Sequence, residues 1–312
     1  MKISAKVKKN RFMIIYLFIL SIAFLAFLVI ALANFEVKRL NAKTGIKMAP
    51  VQFSPEEYPT LKNIYEPFIS AKGAVIMDKD SQVILFEKNP NLRFSPASTT
   101  KIMSALVALE HFKPDVILTV KDSYTEGAVI ELSEGEQFRF QDLLFAMMLP
   151  SANDAAKAIA ANYSGGEEAF VGKMNEKAQE LGLKNTHYAD PAGLLDTKDY
   201  TTPLELARLA SVAMQNPEFA KVVSTKERTI VNTLGKEYVL ENLNILLNTP
   251  GVNGVKTGYT QEAGQVLVTS RVIPGTNKEV IIVVMQSEDR FTDSQALINY
   301  LEGNINFQSI RQ

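Results

Sequence analysis

The order of hydrophobic and polar residues predicts strands in two distant parts of this chain. Two β-rich runs, 73–77 and 83–86, flank the polar turn 78–81, a pattern that is typical of a hairpin. Further strand-like runs follow much later, at 252–259, 265–272 and 280–285. We therefore expect one sheet that is assembled from distant segments of the sequence.

The residues between these strands have the spacing of helices. Apolar residues recur at helical intervals over 170–181 and stop at Gly182. Thr202 begins a capping box that opens a second helix, which continues through Met214, and 293–301 predicts a final helix. The predicted fold class is α/β (α+β): an antiparallel sheet flanked by helices, with an inserted helical subdomain.

One more predicted helix has its polar residues at a single end. Ser95 and Pro96 supply an N-cap and a first helical position. The segment 102–109 is apolar nearly all round, which indicates burial on every side. The polar residues of this helix lie at its N-terminal end, over 98–101. A buried helix with a polar tip suits an active site at that tip.

The start of the chain has the pattern of a membrane-targeting segment. Basic residues precede a charge-free run, 12–35, which matches the roughly 20 residues that a helix needs to cross a bilayer. The basic flank favours a cytoplasmic N-terminus and an exported remainder. A cleaved signal peptide is the alternative, because Ala31, Leu32 and Ala33 resemble an A-x-A cleavage site. The expected location is the cell membrane, single-pass, or outside the cell after cleavage.

These patterns divide the chain into five parts. Residues 36–66 mix charged residues, proline and asparagine without periodicity, which favours a linker. The predicted division is a cytoplasmic basic tail, a transmembrane anchor or signal peptide, a linker, a catalytic domain and a C-terminal tail, at 1–11, 12–35, 36–66, 67–304 and 305–312.

Composition excludes several classes of function. A net charge of −1 at pH 7 gives no electrostatic footprint for nucleic acid. The chain has no cysteine, so disulfides, thiolate catalysis and zinc held by thiolates are excluded. The two histidines, His111 and His187, form no H-E-x-x-H pattern. We expect neither a metal nor an organic cofactor.

Ser98 and Lys101 form the first candidate catalytic pair. Positions i and i+3 share one face of a helix, so the Lys101 amine can reach the Ser98 hydroxyl. In a first helical turn the N–H of Ser98 lacks a helical partner and can face a developing oxyanion. An S-x-x-K pattern alone is common on ordinary helices, so this pair needs support from other residues.

Two later motifs supply that support. Ser151 and Asn153 lie on a short loop between predicted helices, where Ser151 could relay a proton and Asn153 could bind a substrate amide. Simple capping of the next helix is the alternative for this loop. Lys256, Thr257 and Gly258 lie in a strand-like run. Glycine in a strand often marks the close approach of another backbone, and a peptide substrate could pair along such a strand.

Together these motifs resemble those of the serine D-alanyl-D-alanine carboxypeptidases, the low-molecular-mass penicillin-binding proteins. The resemblance spans roughly 71–301 and is carried by the runs 93–103, 149–156, 185–188, 193–194 and 254–260. It implies a β-lactamase/transpeptidase-like fold. The middle residue of the second motif is Ala152, where many members carry glycine, a change that the motif should tolerate.

The resemblance also implies a role for each matching residue. Ser98 would be the nucleophile and Lys101 the general base, with Ser151 and Asn153 assisting proton transfer and substrate orientation. The implied substrate-binding residues are Lys256, Thr257 and Gly258, with an oxyanion hole formed by the N–H groups of Ser98 and Tyr259. Members often use an arginine for the terminal carboxylate. Arg290 is the candidate by position, and Arg271 is the alternative.

The base must lose its proton near neutral pH. A free lysine has a pKa of about 10.4. A like charge about 4 Å away contributes about 4 kcal/mol at an effective dielectric of about 20, nearly the whole of the required shift. We therefore predict that Lys256 lowers the pKa of Lys101, with burial adding to its effect.

The resulting prediction is an exported, membrane-anchored serine D,D-carboxypeptidase. It would remove the terminal D-Ala from peptidoglycan stem peptides and be acylated by β-lactam antibiotics, with the lipid bilayer as a partner of its N-terminal helix. A D,D-endopeptidase or transpeptidase differs only in leaving group or acceptor and stays open. A class A-like β-lactamase is disfavoured, because no E-x-x-L-N segment occurs in the middle region. A non-catalytic muropeptide-binding module would be expected to lack Ser98 or Lys101.

Overall fold

A five-stranded antiparallel sheet forms the centre of the computed structural model, which describes residues 57–194 and 197–309. The strands are β1 (Glu57–Leu61), β2 (Gly73–Asp78), β3 (Ile84–Lys88), β4 (Ile117–Thr119), β5 (Gln137–Arg139), β6 (Glu227–Val231), β7 (Glu237–Glu241), β8 (Val252–Thr260), β9 (Gly264–Val272), β10 (Glu279–Ser287) and β11 (Ile305–Ser309). The central sheet has the order β3-β2-β10-β9-β8, which leaves β8 at one edge.

Helices cover both faces of this sheet. They are α1 (Lys101–His111), α2 (Phe140–Met148), α3 (Asn153–Asn162), α4 (Gly166–Glu180), α5 (Pro203–Ala213), α6 (Pro217–Ser224) and α7 (Arg290–Leu301). Alternate residues of β10 point to opposite faces, as the pleat requires. Ile282 and Val284 belong to the core under α7, whereas Ile281 and Val283 belong to the larger core that also contains α1. The predicted antiparallel sheet with flanking helices is confirmed.

The segment between β3 and β8 supplies the helical part of the molecule. It contains α1 to α6, a two-stranded sheet of β4 and β5, and the β6–β7 hairpin. One half of the predicted capping box at the start of α5 is present, because the Thr202 hydroxyl oxygen accepts a hydrogen bond of 3.1 Å from the N–H of Glu205. The Glu205 carboxylate instead accepts from the Asn185 amide and the Thr186 hydroxyl. α1 is buried from Lys101 through Ala108, in agreement with its continuous apolar sequence.

The start of α1 differs from the prediction. Ser95 and Pro96 do not act as N-cap and first helical residue, because Ala97 has a φ of 47°, outside the right-handed helical region. A 3₁₀ turn, Ala97–Thr100, follows instead, and the α-helix begins at Lys101. The turn places Ser98 just before the helix rather than within its first turn.

Strands occur where the sequence predicted a linker (36–66) and a tail (305–312). β1 pairs with β11 in an antiparallel two-stranded sheet, with Glu57 opposite Ser309 and Leu61 opposite Ile305. The predicted basic tail and membrane segment, 1–11 and 12–35, lie outside the described residues. Within the described ranges no helix combines the length and the apolar character that a membrane crossing requires.

Candidate active site

Ser98 and Lys101 are in direct contact at the start of α1. The Lys101 Nζ lies 2.9 Å from the Ser98 Oγ. Lys101 is completely buried, whereas Ser98 is only partly buried. A partly exposed hydroxyl beside a buried amine has the arrangement of a nucleophile with its base.

The neighbours of the Lys101 amine are compatible with a neutral base. Besides Ser98, Nζ lies 2.7 Å from the Asn153 Oδ1 and 3.0 Å from the Ala192 carbonyl oxygen. Those two oxygens can only accept hydrogen bonds, whereas a hydroxyl can also donate. A neutral amine has two N–H groups for the two oxygens and one lone pair for the Ser98 O–H. The geometry therefore suits a Lys101 that is ready to accept the serine proton.

Burial is the main cause of the low pKa of Lys101. It lowers the pKa to about 7, against opposing effects of the Asp190 and Asp154 carboxylates. The prediction that Lys256 supplies most of this shift is wrong, because the cost of desolvation dominates. Repulsion between the two lysines still acts on Lys256, whose pKa is lowered by burial first and then by Lys101 and Arg290.

Asn153 belongs to the same cluster, and Ser151 lies two residues before it. Ser151 has a φ of 65°, and in the described part of the chain its buried hydroxyl oxygen has no hydrogen-bond partner. It does not cap α3, whose N-cap is Ala152 without a side-chain bond, so the capping alternative fails for Ser151. The Asn153 Nδ2 donates to the Glu126 carbonyl oxygen at 2.8 Å, which fixes the amide orientation toward Lys101.

β8 brings Lys256, Thr257 and Gly258 against the turn that carries Ser98. Lys256 and Thr257 are buried. A Cβ placed on Gly258 would lie 3.2 Å from the Pro96 carbonyl oxygen and 3.3 Å from the Ser98 nitrogen. The predicted close approach of another backbone at this glycine is confirmed. The next residue, Tyr259, is 63% exposed, and the oxyanion role of its N–H stays a prediction.

The two candidate arginines occupy different places. The Arg290 Nη1 donates to the Gly258 carbonyl oxygen at 2.9 Å, so this side chain reaches the strand of the third motif. Arg271 instead donates to the Ile298 carbonyl oxygen and to the Glu302 carboxylate, at 3.2 and 2.9 Å. Arg271 is 2% exposed and engaged at the end of α7. The alternative assignment to Arg271 is therefore wrong.

A loop to which the sequence analysis assigned no role completes the cluster. It runs through Asp190, Pro191, Ala192 and Gly193, and it presents the Ala192 carbonyl oxygen to Lys101. This contact uses a backbone atom, which leaves no mark on the residue type. The available signal was the D-P-A-G run at 190–193, a turn-forming pattern that overlaps the Gly-Leu pair at 193–194.

Gly193 fits this loop tightly against Ala97. Its φ is +79°, and an added Cβ would overlap the Ala97 carbonyl oxygen and lie 2.7 Å from the Thr100 Oγ1. We expect Gly193→Ala to lower the free energy of unfolding by at least about 2 kcal/mol, since left-handed strain and overpacking combine. Urea unfolding measures the change.

Gly182→Ala is the matched control for that substitution. Gly182 has a φ of +71°, but no atom lies within 4 Å of an added Cβ. This variant should lose about 1 kcal/mol from the conformational term alone. Equal losses in both variants would contradict the packing of Gly193 against Ala97.

Comparison with known proteins gives the same picture from sequence and from fold. The sequence profile described as D-alanyl-D-alanine carboxypeptidase, peptidase family S11, matches residues 61–289. A D-alanyl-D-alanine carboxypeptidase of Bacillus subtilis is 34% identical over 269 residues, which cover 83% of this chain and 69% of that protein. A D-alanyl-D-alanine endopeptidase of Pseudomonas aeruginosa is 34% identical over 75% of this chain and 78% of its own length.

Solved structures agree with this similarity. The crystal structure of the Streptomyces K15 DD-transpeptidase aligns with a TM-score of 0.72 and 33% identity, over 77% of this chain and 100% of that one. A putative penicillin-binding protein homologue from Mycobacterium tuberculosis aligns with a TM-score of 0.73 and 28% identity, over 78% of this chain.

Proposed function

Because this chain belongs to the D-alanyl-D-alanine carboxypeptidase family of serine peptidases, we propose that it removes the terminal D-Ala from peptidoglycan stem peptides. The reaction passes through an acyl-enzyme on Ser98. The observation that carries the proposal is the contact set of the Lys101 amine: one hydroxyl that can donate and two oxygens that can only accept.

Acylation begins with the Ser98 proton. Lys101 takes this proton on its lone pair as Oγ attacks the carbonyl carbon of the D-Ala-D-Ala bond. The N–H groups of Ser98 and Tyr259 hold the resulting oxyanion. When the tetrahedral intermediate collapses, the bond to the terminal D-Ala breaks. The proton then passes to the leaving amine. The proposed relay is the Ser151 hydroxyl, which has no hydrogen-bond partner among the residues that the structure describes.

Deacylation follows the same path with water. A water molecule gives one proton to Lys101 and attacks the acyl-enzyme carbonyl carbon, and the proton returns to the Ser98 Oγ as the ester bond breaks. A β-lactam presents a strained amide to the same nucleophile. We therefore propose that β-lactams acylate Ser98 and act as covalent inhibitors.

The direct test supplies a stem pentapeptide to the purified protein. Release of one D-Ala per peptide supports carboxypeptidase action, and D-Ala release from the tetrapeptide product should be absent. A protein that is labelled by fluorescent penicillin but releases no D-Ala from the pentapeptide would contradict the proposal.

An endopeptidase is the second candidate, since the Pseudomonas aeruginosa relative at 34% identity carries that name. Both reactions use the same acyl-enzyme and differ in the leaving group. Cross-linked muropeptide dimers, supplied beside the pentapeptide, separate them. Faster conversion of dimers to monomers than of pentapeptide to tetrapeptide would favour the endopeptidase.

Arg290 is the proposed site for the terminal carboxylate. Its guanidinium reaches Gly258 on β8, and its charge acts on the buried Lys256 of the same strand, so two basic side chains meet at this strand. A carboxylate bound between them would relieve their repulsion. We expect Arg290→Gln to reduce kcat/KM for a free-acid pentapeptide about tenfold to a hundredfold, as loss of a charged hydrogen bond does.

The control for Arg290 is the substrate itself. A pentapeptide with an amidated C-terminus lacks the charge that Arg290 is proposed to bind. Its kcat/KM should be low with the wild type and nearly unchanged by Arg290→Gln. Equal losses for both peptides would point to a structural role for the arginine.

We also propose that residues 12–35 hold the domain at the outer face of the cell membrane. The charge-free run and its basic flank support this proposal. Intact mass and carbonate extraction of the native protein test it. A mature protein that begins after Ala33 and is released without detergent would establish cleavage instead.

A further inference from the structure

The carboxylate of Asp190 organises the loop that contacts Lys101. Its Oδ1 accepts hydrogen bonds from the N–H groups of Ala192 and Gly193, at 2.7 and 2.8 Å. Its Oδ2 accepts from the N–H of Leu194 at 2.9 Å. Asp190 is 3% exposed, so one buried carboxylate fixes three successive amides. Such bonds to an ionised acceptor are short and strong.

These bonds determine where the loop points its carbonyl groups. With the amides of Ala192 and Gly193 held by Asp190, the Ala192 carbonyl oxygen lies 3.0 Å from the Lys101 Nζ. The preceding carbonyl, of Pro191, accepts a 2.6 Å bond from the Ser104 hydroxyl one turn further along α1. The loop is therefore attached to α1 at two levels, and Asp190 sets its shape.

The charged groups around Lys101 come from several elements. Asp190 lies on the loop before α5, Asp154 on α3 and Lys256 on β8. Burial lowers the pKa of Lys101, and of the two carboxylates Asp190 raises it more. Arg290 adds positive charge at Lys256. Asp190 is thus the principal negative charge that opposes desolvation of the amine.

We propose that Asp190 is the positioning residue of the base. It orients the Lys101 amine through the Ala192 carbonyl and supplies the negative charge that keeps this amine strong enough to take the Ser98 proton. The proposal deepens the proposed function and rests on it. Among the described residues, Asp190 acts on Lys101 through the Ala192 carbonyl oxygen and through its negative charge.

Asp154 does not share both parts of this role. Its carboxylate accepts hydrogen bonds from the amides of Ile130, Leu132 and Ala155. Those bonds join α3 to the segment around Ile130 and do not shape the loop that presents Ala192. The two carboxylates therefore share the electrostatic effect, whereas the hydrogen bonds to the loop belong to Asp190.

Asp190→Asn tests the proposal through the pH dependence of acylation. In the wild type the acylation rate constant for penicillin should rise with pH until Lys101 is neutral. Removal of a negative charge lowers the pKa of Lys101 further, so the acid limb should move to lower pH by about one unit. The plateau rate constant at high pH should fall about threefold to tenfold, because Lys101 becomes a weaker base and is also less well oriented.

Two further variants separate this role from a general structural one. Asp190→Ser keeps a short hydrogen-bond acceptor without the charge. The acid limb of its acylation profile should also move to lower pH. Asp199→Asn is the matched control: Asp199 is 2% exposed and accepts from the Ala189 amide of the same segment. It is not among the groups that act on Lys101. Its limb should coincide with that of the wild type.

A second measurement does not depend on turnover. Cyanate carbamylates only neutral amines, and peptide mass mapping locates the product at Lys101. The pH midpoint of Lys101 carbamylation should be lower in Asp190→Asn than in the wild type and unchanged in Asp199→Asn. The proposal would be overturned if neither Asp190 variant shifted the carbamylation midpoint or the acid limb of acylation. A lower plateau rate constant alone would not rescue it.

Failure of the proposed function has a different signature. If Ser98→Ala were labelled by penicillin as strongly as the wild type, the acyl-enzyme would be wrong whatever Asp190 does. If Ser98 is required but the Asp190 limbs do not move, only the positioning role is wrong.

Discussion

Replacement of Ser98 by alanine is expected to abolish covalent labelling by penicillin and to reduce D-Ala release from the pentapeptide by at least about 10⁴-fold. The variant keeps the 3₁₀ turn and its packing on β8, because a hydroxyl is removed and no larger group is added. What it loses is the atom that forms the acyl bond. Gel fluorescence after incubation with a labelled penicillin measures the first effect, and a D-Ala assay measures the second.

Ser95→Ala provides the matched control for Ser98→Ala. It makes the same chemical change three positions earlier, in the segment that leads into the turn. Its labelling and activity should remain close to those of the wild type. Labelled Ser98→Ala protein would show that another residue is the nucleophile.

Replacement of Lys101 by glutamine should slow acylation by about 10²- to 10⁴-fold, the usual contribution of a positioned base. The glutamine amide can still donate hydrogen bonds toward the Asn153 Oδ1 and the Ala192 carbonyl oxygen, so the cluster stays filled. It has no basic lone pair for the Ser98 proton. Stopped-flow acylation with a chromogenic β-lactam gives the rate constant.

The pH profile separates loss of the base from loss of structure. The pKa of Lys101 is lowered to about 7, so the active, neutral amine is lost as pH falls below that value. Wild-type acylation should therefore decline on the acid side of neutrality, and the residual rate of Lys101→Gln should lack this limb. Lys256→Gln should retain it, because burial is the main cause of the shift. An acid limb that persists in Lys101→Gln would assign the titration to another group.

The sequence was sufficient for the residues that carry their chemistry in side chains. Ser98, Lys101 and Asn153 meet in space because their motifs fix residue types at short spacings, and the structure joins them through hydrogen bonds to one amine. The strand-like runs at 252–259, 265–272 and 280–285 predicted β8, β9 and β10 of the central sheet in the same way.

Other features depend on contacts that no local pattern encodes. β1 and β11 each have a mixed sequence. They become strands by pairing with each other, although they lie at opposite ends of the described sequence. The 3₁₀ turn before α1 follows from the positive φ of Ala97, a residue that seldom adopts this conformation without tertiary contacts. The dominance of burial over Lys256 could not be predicted either, because it depends on how completely the fold encloses the amine.

The pairing of β1 with β11 has a practical consequence for protein engineering. Glu57 stands opposite Ser309, so the first and last described residues leave the domain side by side. A short peptide could connect them, and new ends could then be opened at the exposed tip of the β6–β7 hairpin, where Leu234 is 88% exposed. Such a circular permutant would leave the residues around Ser98 in place and permit insertion of the whole domain into a loop of a carrier protein.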